Sequence, residues 1–102
     1  MITRIFRVVI HDGKQDEFLE FFTNIALPIV KSQQGLISLS IGKPFSSSPN
    51  EFSMVMLWKD VVSIKAFSGE SWQEARIEPE EAHLIKESFV HHYFHVVETR
   101  ND

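Results

Sequence analysis

Histidine and tyrosine side chains that could transfer protons are grouped near the C-terminal end of the sequence. His91, Tyr93 and His95 alternate with other residues in the stretch VHHYFHVVE. Residues two apart in a β-strand point to the same side, so these three side chains are predicted to share one face. Histidine titrates near neutral pH and can remove a phenolic or enolic proton. His91 is therefore a candidate catalytic base, with Tyr93 and His95 as candidate substrate-binding groups.

An arginine of the first predicted strand extends this candidate site. Arg7 is predicted to lie on the same face as the histidines, where it could stabilise an enolate. A deprotonated, electron-rich compound can react with oxygen directly, so no cofactor is expected. The alternative is that these side chains are hydrogen-bonded pocket or rim residues without a catalytic role, since a fold does not establish a function.

Two further candidates lie in the segment before the last strand. Trp72 could stack on a flat substrate and His83, a second candidate catalytic residue, could reach its oxygen, although a tryptophan near a helix start often belongs to the core. Phe22 of the first helix is expected to line the same cavity. Glu78, Glu80 and Glu81 resemble a general-acid cluster, but carboxylates at a helix start also complement the helix dipole.

A metal site is not expected. His91 and His95 are four strand residues apart, about 13 Å, which is too far to share an ion. Only a set drawn from His11, His83 and either His91 or Tyr93 could converge, and no ligand spacing typical of a metal site is present.

Composition narrows the class of protein. The 102 residues are 43% hydrophobic, carry a formal net charge of -4 and include no cysteine. This size predicts one domain over residues 1–102. The absence of cysteine excludes disulfide scaffolds and thiolate chemistry and is typical of a reducing compartment. With no basic cluster, no signal-peptide pattern and no apolar window near ~18 residues, we expect a cytoplasmic protein that binds neither nucleic acid nor membrane.

The first half of the chain predicts a strand, a helix and two strands. Ile2–His11 is rich in β-branched residues, and Asp12 is predicted to cap a helix whose apolar residues recur from Phe18 to Ile29. Pro28 should kink that helix or end it early. Alternation then predicts strands over Leu36–Lys43 and Glu51–Trp58.

The second half predicts a broken helix and a strand. Asp60 is expected to cap a short helix that Gly69 ends, and Ser71 to start a brief turn at Trp72. A third helical piece, starting at Glu78–Glu81, would bury Ala82, Ile85 and Phe89. Val90–Glu98 is the last predicted strand. This order favours an α+β, ferredoxin-like βαββαβ fold with a four-stranded antiparallel sheet and helices on one face.

Neither predicted sheet face is polar enough for solvent. One face collects large apolar residues such as Phe6, Met54 and Met56, and the other is mixed. Its members are Ile5, Arg7, Val9, His11, Leu36, Ser38, Ser40, Ser53, Val55, Leu57, His91, Tyr93, His95 and Val97. Helices cover only one face, so a second copy is expected to cover the other, which makes the protein a homodimer.

The chain resembles the antibiotic biosynthesis monooxygenase (ABM) domain of the dimeric α/β-barrel superfamily. The resemblance rests on the turn His11–Lys14, the helix DEFLEFF, the turn-and-strand Gln34–Ser38, the strand-ending Trp58–Asp60 and the stretch Ile64–Phe67. It implies a ferredoxin-like subunit, a homodimeric barrel and, in characterised members, either cofactor-independent oxygenation of polyketide aromatics or quinones, or haem degradation. The expected ligand is therefore a small apolar or aromatic molecule, and the alternative is a dimeric binding module without catalysis.

The haem-degrading branch of the family is not matched at its functional positions. Counted from Gly13 and Trp58, the branch's asparagine falls at Ile5, its tryptophan near Phe67 and its histidine near Ile77. Haem degradation is therefore disfavoured, and haem binding without turnover is a weaker alternative. The same comparison places Ile5 on the cavity side, so the mixed face is predicted to line the pocket. The face that contains Phe6, Met54 and Met56, called the Phe/Met face below, is predicted to form the dimer interface.

Overall fold

The sheet is organised around β1 (Ile2–Ile10), which pairs with a strand on each side. Its even-numbered residues are buried and its odd-numbered residues are half-buried along the whole strand. The computed structural model describes residues 1–96, so Val97 and Glu98 of the predicted last strand lie outside the described part. Within it, the helices do not reach the length and apolar character that a membrane span requires.

Three further strands complete the sheet in the order β2-β3-β1-β4, with every neighbouring pair antiparallel. They are β2 (Leu36–Gly42), β3 (Glu51–Trp58) and β4 (Ile85–Phe94). The ferredoxin-like α+β prediction is confirmed, because the strand order interleaves the two halves of the chain and places the helices on one face.

The first helical stretch continues through its proline. It consists of α1 (Gln15–Phe21), a π-helical turn (Phe22–Ala26) and α2 (Leu27–Lys31). Pro28 has no N–H to donate, and immediately before it the Leu27 N–H bonds to the Phe22 carbonyl five residues back. The wider turn accommodates the proline, so the helix is altered at this point and does not end.

The predicted cap of α1 is wrong. The residue that precedes α1 is Lys14, and no side chain caps the helix. The Asp12 carboxylate instead accepts a hydrogen bond from the Asn50 side-chain amide, which also accepts one from Gln15. Asn50, in the β2–β3 loop, therefore binds the Asp12 carboxylate that was predicted to cap α1.

The next helix along the chain, α3 (Val61–Ser68), has the predicted boundaries. The Asp60 side chain accepts from the Ser63 backbone N–H at 2.8 Å, and Gly69 follows the last turn with φ of 87°. A glycine tolerates this positive φ, which a side chain disfavours. Both the cap and the stop are confirmed.

The predicted third helix is wrong. The start signal at Glu78–Glu81 leads only to a 3-10 turn, Ala82–Leu84, and Ile85 and Phe89 belong to β4. β4 pairs with β1 from Ile85 opposite Ile10 to Phe94 opposite Ile2. Pairing satisfies the backbone groups on that edge of β1, and this tertiary gain outweighs a local helix signal.

The helices cover the Phe/Met face, so the prediction that they cover the mixed face is wrong. Phe6, Phe52, Met54, Met56 and Trp58 are all buried in the core beside residues of the helices. Burying the largest apolar side chains between sheet and helix removes the most apolar surface from water.

A β-bulge in β2 changes one further assignment. The register shifts between Leu36 and Ser38, so that Leu36 lies opposite Trp58 while Ser38 lies opposite Leu57. Leu36 therefore faces the helices, although simple alternation predicts the mixed face.

Gly35 is expected to be the glycine least tolerant of alanine. It has φ of +88°, and an added Cβ would lie 2.5 Å from the Ser63 Cβ, whereas Gly13, at φ of +81°, has nothing within 4 Å. Gly13→Ala should cost about 1–2 kcal/mol from the backbone alone, and Gly35→Ala about 1–3 kcal/mol more from the clash. Urea unfolding of both variants measures the difference, and equal losses would contradict the close approach.

Candidate functional site

A cleft lies between the Phe/Met face of the sheet and the helices that cover it. Its inner part has a volume of about 40 Å³ and is largely apolar. It is lined by Arg4, Phe6, Phe22, Ala26, Ile29, Val30, Met54, Met56, Phe67, Arg76, Glu78 and Glu81. Four ionisable side chains in an otherwise apolar lining make this cleft the candidate site.

Arg4 is the most deeply buried of these ionisable groups. It is only 1% exposed, because it occupies an inward position of β1 between Ile2 and Phe6. Its Nη1 donates to the Trp72 carbonyl at 2.5 Å and lies 2.9 Å from His92 Nε2, while Nη2 lies 3.3 Å from both Ser68 Oγ and the Glu74 carbonyl. Arg4 therefore ties the segment after α3 to the sheet.

Burial shifts the titration of Arg4 and of its histidine neighbour. Loss of hydration lowers the pKa of the Arg4 guanidinium to about 10, so it remains charged at neutral pH. Burial, followed by the positive charges of Arg4 and His91, lowers the pKa of His92 to about 4. His92 is thus a neutral imidazole at pH 7 that can accept a hydrogen bond from Arg4.

Glu81 is a buried carboxyl group in the same cleft. It is 4% exposed, and burial raises its pKa to about 7, with a smaller contribution from the charges of Glu78 and Glu80. A hydrogen bond from the Glu78 N–H to Glu81 Oε2, 3.0 Å long, opposes that rise. Glu81 can therefore both accept and release a proton near neutral pH, as a general acid or base must.

A cation-bearing aromatic wall completes the cleft. The Arg76 Cζ lies 4.9 Å from the Phe67 ring centroid, and the Arg4 Cζ lies 5.9 Å from the same centroid. Arg76 also pairs with Glu78, Nε to Oε1 at 2.9 Å. Behind Phe67, the fully buried Trp58 stacks on its ring at 5.4 Å between centroids. The tryptophan that ends β3 therefore supports a lining residue without lining the cleft itself.

The candidates on the helix side of the sheet have different surroundings. Phe22 lines the cleft and is buried. Trp72 contributes its carbonyl to Arg4 and packs edge-on against His92, 4.8 Å between ring centroids. His83 is exposed in the 3-10 turn, with Nε2 3.2 Å from Glu17 Oε2.

The remaining candidates do not lie on the cleft side. Arg7 and the β1 partners of His91 and Tyr93, which are Ile5 and Thr3, are odd-numbered residues of β1. The even-numbered residues face the helices, so Arg7, His91 and Tyr93 point away from them. His95 follows β4, where its N–H bonds to the Met1 carbonyl at 3.0 Å. His11 lies beside Leu84, at the opposite end of β4 from Tyr93. His91 and Tyr93 therefore share the side of β4 that faces away from the helices, whereas His11 and His95 lie outside the strands.

Two residues of the cleft were missed or set aside by sequence reasoning. Arg4 shares one side of β1 with the apolar residues Phe6 and Val8. A charged residue in an otherwise apolar row is a sequence feature that could have indicated a buried functional group. Glu81 belonged to an acidic cluster that was attributed to a helix start. No such helix forms, and the carboxyl group is instead carried into the cleft.

Comparison with known proteins bears on this fold and cleft. The sequence model for the family described as antibiotic biosynthesis monooxygenase matches residues 1–78. The chain belongs to the ABM family. The family resemblance inferred from the sequence is therefore confirmed. Membership of this family supports a general role as a small-molecule-binding, monooxygenase-like protein. The match includes Arg4, the cleft side of the first helices and Arg76. Comparison with curated proteins gives no significant match.

Solved structures share the ABM fold. A proposed antibiotic biosynthesis monooxygenase from Nitrosomonas europaea has a TM-score of 0.74 at 15% identity, covering 95% of this chain and 100% of that one. Another from Deinococcus radiodurans has a TM-score of 0.73 at 12% identity, covering 100% and 98%. A MhuD mutant with two manganese protoporphyrin IX molecules bound per active site has a TM-score of 0.73 at 12% identity, covering 99% and 100%. At these identities the likeness establishes the fold alone.

The raised pKa of Glu81 predicts a pH-dependent stability difference. Below pH ~4.5 the carboxyl is protonated in both states, whereas between about 4.5 and 7 only the unfolded state ionises, so stability is lost as pH rises. Glu81→Gln lacks this loss, and its unfolding free energy relative to the native chain should increase by up to on the order of 3 kcal/mol from pH 4.5 to pH 8. Urea unfolding across this range measures it. Parallel curves for the two chains, or the same trend in the exposed control Glu70→Gln, would contradict a buried carboxyl.

Proposed function

We propose that this ABM protein is a cofactor-independent monooxygenase that oxidises a small aromatic, polyketide or quinol-type compound in the cleft. The observation that carries the proposal is Glu81, a buried carboxyl with a pKa of about 7 in a largely apolar, aromatic lining. At neutral pH about half of this group is ionised and available as a base. Family membership supports the reaction class.

The reaction begins with proton removal. The Glu81 carboxylate takes a proton from a phenol or from an activated CH₂ group, and the charge of Arg4 in the same cleft stabilises the resulting anion. Apolar walls such as Phe6, Phe22 and Met54 exclude water and admit molecular oxygen. The carbanion reduces O₂, one oxygen atom remains in the substrate as a carbonyl, and the other leaves as water. An activated CH₂ group plus O₂ thus gives C=O plus H₂O, with no external reductant.

The residues of the cleft do not fit a haem. Among the lining residues there is no histidine, cysteine or tyrosine to serve as an axial ligand. His92, on the same side of the sheet, is already engaged by Arg4 and Trp72. We therefore propose no step through haem.

A non-catalytic module that binds a small apolar molecule is the second candidate function. It is favoured by the hydrogen bond from the Glu78 N–H to Glu81 Oε2, which already occupies one oxygen of the proposed base. In this case Glu81 would accept a hydrogen bond from the ligand without removing its proton.

Oxygen uptake distinguishes the two functions. The purified protein is screened with hydroquinones and polyhydroxylated aromatics, and kcat/KM should rise with pH through about 7 as Glu81 ionises. Glu81→Gln should lower kcat by about 100-fold or more, and Glu70→Gln should not. Binding without oxygen uptake across the panel would favour the module.

The same assay tests the bases proposed from the sequence. If His83 or His91 is the base, His83→Ala or His91→Ala loses activity while Glu81→Gln retains it. That outcome would contradict the assignment of Glu81.

We also propose that the protein is a homodimer formed through the outer face of the sheet, defined by Ile5, Val55, Leu57, Phe89 and Tyr93. Val55, Phe89 and Tyr93 are exposed in the single chain, and Arg7 lies over the Phe89 ring at 5.0 Å on this face. The sequence assigned the dimer to the Phe/Met face, which the helices occupy. A second copy would bury the apolar part of the outer face, and would also bury His91 and Arg7 between the two sheets.

A charge on the outer face should prevent this dimer. Val55→Glu, in the middle of β3, is expected to give a monomer at micromolar concentration by light scattering. The matched control is Val62→Glu, which makes the same change at a 74% exposed position of α3 and should leave the dimer intact. A monomeric native chain would contradict the proposal.

A further inference from the structure

The buried charge of Arg4 has no anionic partner in the part of the chain that the structure describes. Its Nη1 and Nη2 contact neutral groups only: the carbonyls of Trp72 and Glu74, the Ser68 hydroxyl and the His92 ring. The ion pairs within residues 1–96 involve other cations. A buried guanidinium without a counter-ion is costly, so an anion brought near it is strongly stabilised.

Arg4 also retains an unused hydrogen-bond donor. Its Nε is buried and has no hydrogen-bond partner among the described residues. A guanidinium offers five N–H donors in a planar fork that matches a carboxylate. The guanidinium, which lines the cleft, therefore keeps hydrogen-bonding capacity that the described residues do not fill.

The other charges of the cleft compensate this positive charge only in part. Arg76 and Glu78 form a pair at 2.9 Å and balance each other. Glu81 is a carboxyl that is protonated in part of the population at neutral pH. The cleft therefore has a positive excess that originates from Arg4, beside the ring of Phe67.

We propose that the cleft selects compounds that combine an aromatic ring with an anionic oxygen group, a carboxylate above all, and that Arg4 binds this group. The inference rests on the proposed function, because it names the substrate class of the same cleft. The inner volume of about 40 Å³ suits the charged group, and the ring lies against apolar lining such as Phe22 and Phe67.

Calorimetric binding of two neutral-pH probes tests the inference. The probes are naphthalene carboxylate and naphthalene carboxamide, which match in shape and differ in charge. The native chain should bind the carboxylate about tenfold to a hundredfold more tightly, the effect expected of hydrogen bonds to a charged group. Arg4→Met should remove that preference by weakening the carboxylate alone, and Arg4→Lys should retain part of it. The control Lys14→Met removes an exposed cation and should keep the full preference.

The native chain alone can overturn the inference, whatever the stability of the variants. Equal affinity for the two probes, or no binding of either at millimolar concentration, would show that the cleft does not select an anion. A preference that persists in Arg4→Met would place the anion elsewhere. Carboxylate preference without oxygen uptake would support this inference and contradict the proposed oxygenase. Oxidation of neutral quinols without carboxylate preference would do the opposite.

Discussion

The burial of one guanidinium in the apolar layer between sheet and helices is the constraint on which the cleft depends. Arg4 occupies an inward position of β1 that alternation otherwise reserves for apolar side chains. A buried cation must find acceptors, and Arg4 finds them in Ser68, Trp72 and Glu74. The connection from α3 to β4, which contains little regular structure, is thereby tied to the middle of the sheet. Arg4 thus both supplies a charge inside the cleft and holds in place the segment that forms one of its walls.

The connection in turn carries the second ionisable group. Residues 79–81 form a turn, and the short 3-10 helix that follows leads directly into β4. Glu81 is held there with one oxygen on the Glu78 N–H and little exposure to water. The environment, more than the acidic neighbours in sequence, raises its pKa. A carboxyl group that titrates near neutral pH and a fixed positive charge therefore lie in one apolar cleft, and the proposed oxygenase reaction is based on this pair.

Prediction from sequence succeeded where local signals and tertiary structure agree. The strand Glu51–Trp58, the Asp60 cap and the Gly69 stop have the predicted positions, and the first strand ends one residue before the predicted His11. Each of these features depends on alternation or on a few neighbouring backbone groups. It failed where a distant partner competed. The Asn50 side chain donates a hydrogen bond to the Asp12 carboxylate, which therefore does not cap α1. Pairing with β1 makes Ile85 and Phe89 part of β4 instead of a helix. Phe22 lines the cleft because it lies on the apolar side of an amphipathic helix, and its contact with a substrate stays a prediction.

The sequence by itself determined the family, the order of the four strands, and the two sets of side chains in the strands apart from Leu36 at the β2 bulge. It did not determine which set the helices cover, because alternation is symmetric and assigns residues to faces without saying which face is inside. Packing decided that: the helices cover the face with the larger apolar side chains, and Arg4 is enclosed with them. His91 is thereby left on the outer face, His92 lies within the Arg4 contact network, and His11, His83 and His95 lie outside the strands. The chemistry that we propose for the cleft depends instead on Arg4 and Glu81, whose pKa values are shifted by burial. Burial is a property of the folded chain, and residue type and spacing do not determine it.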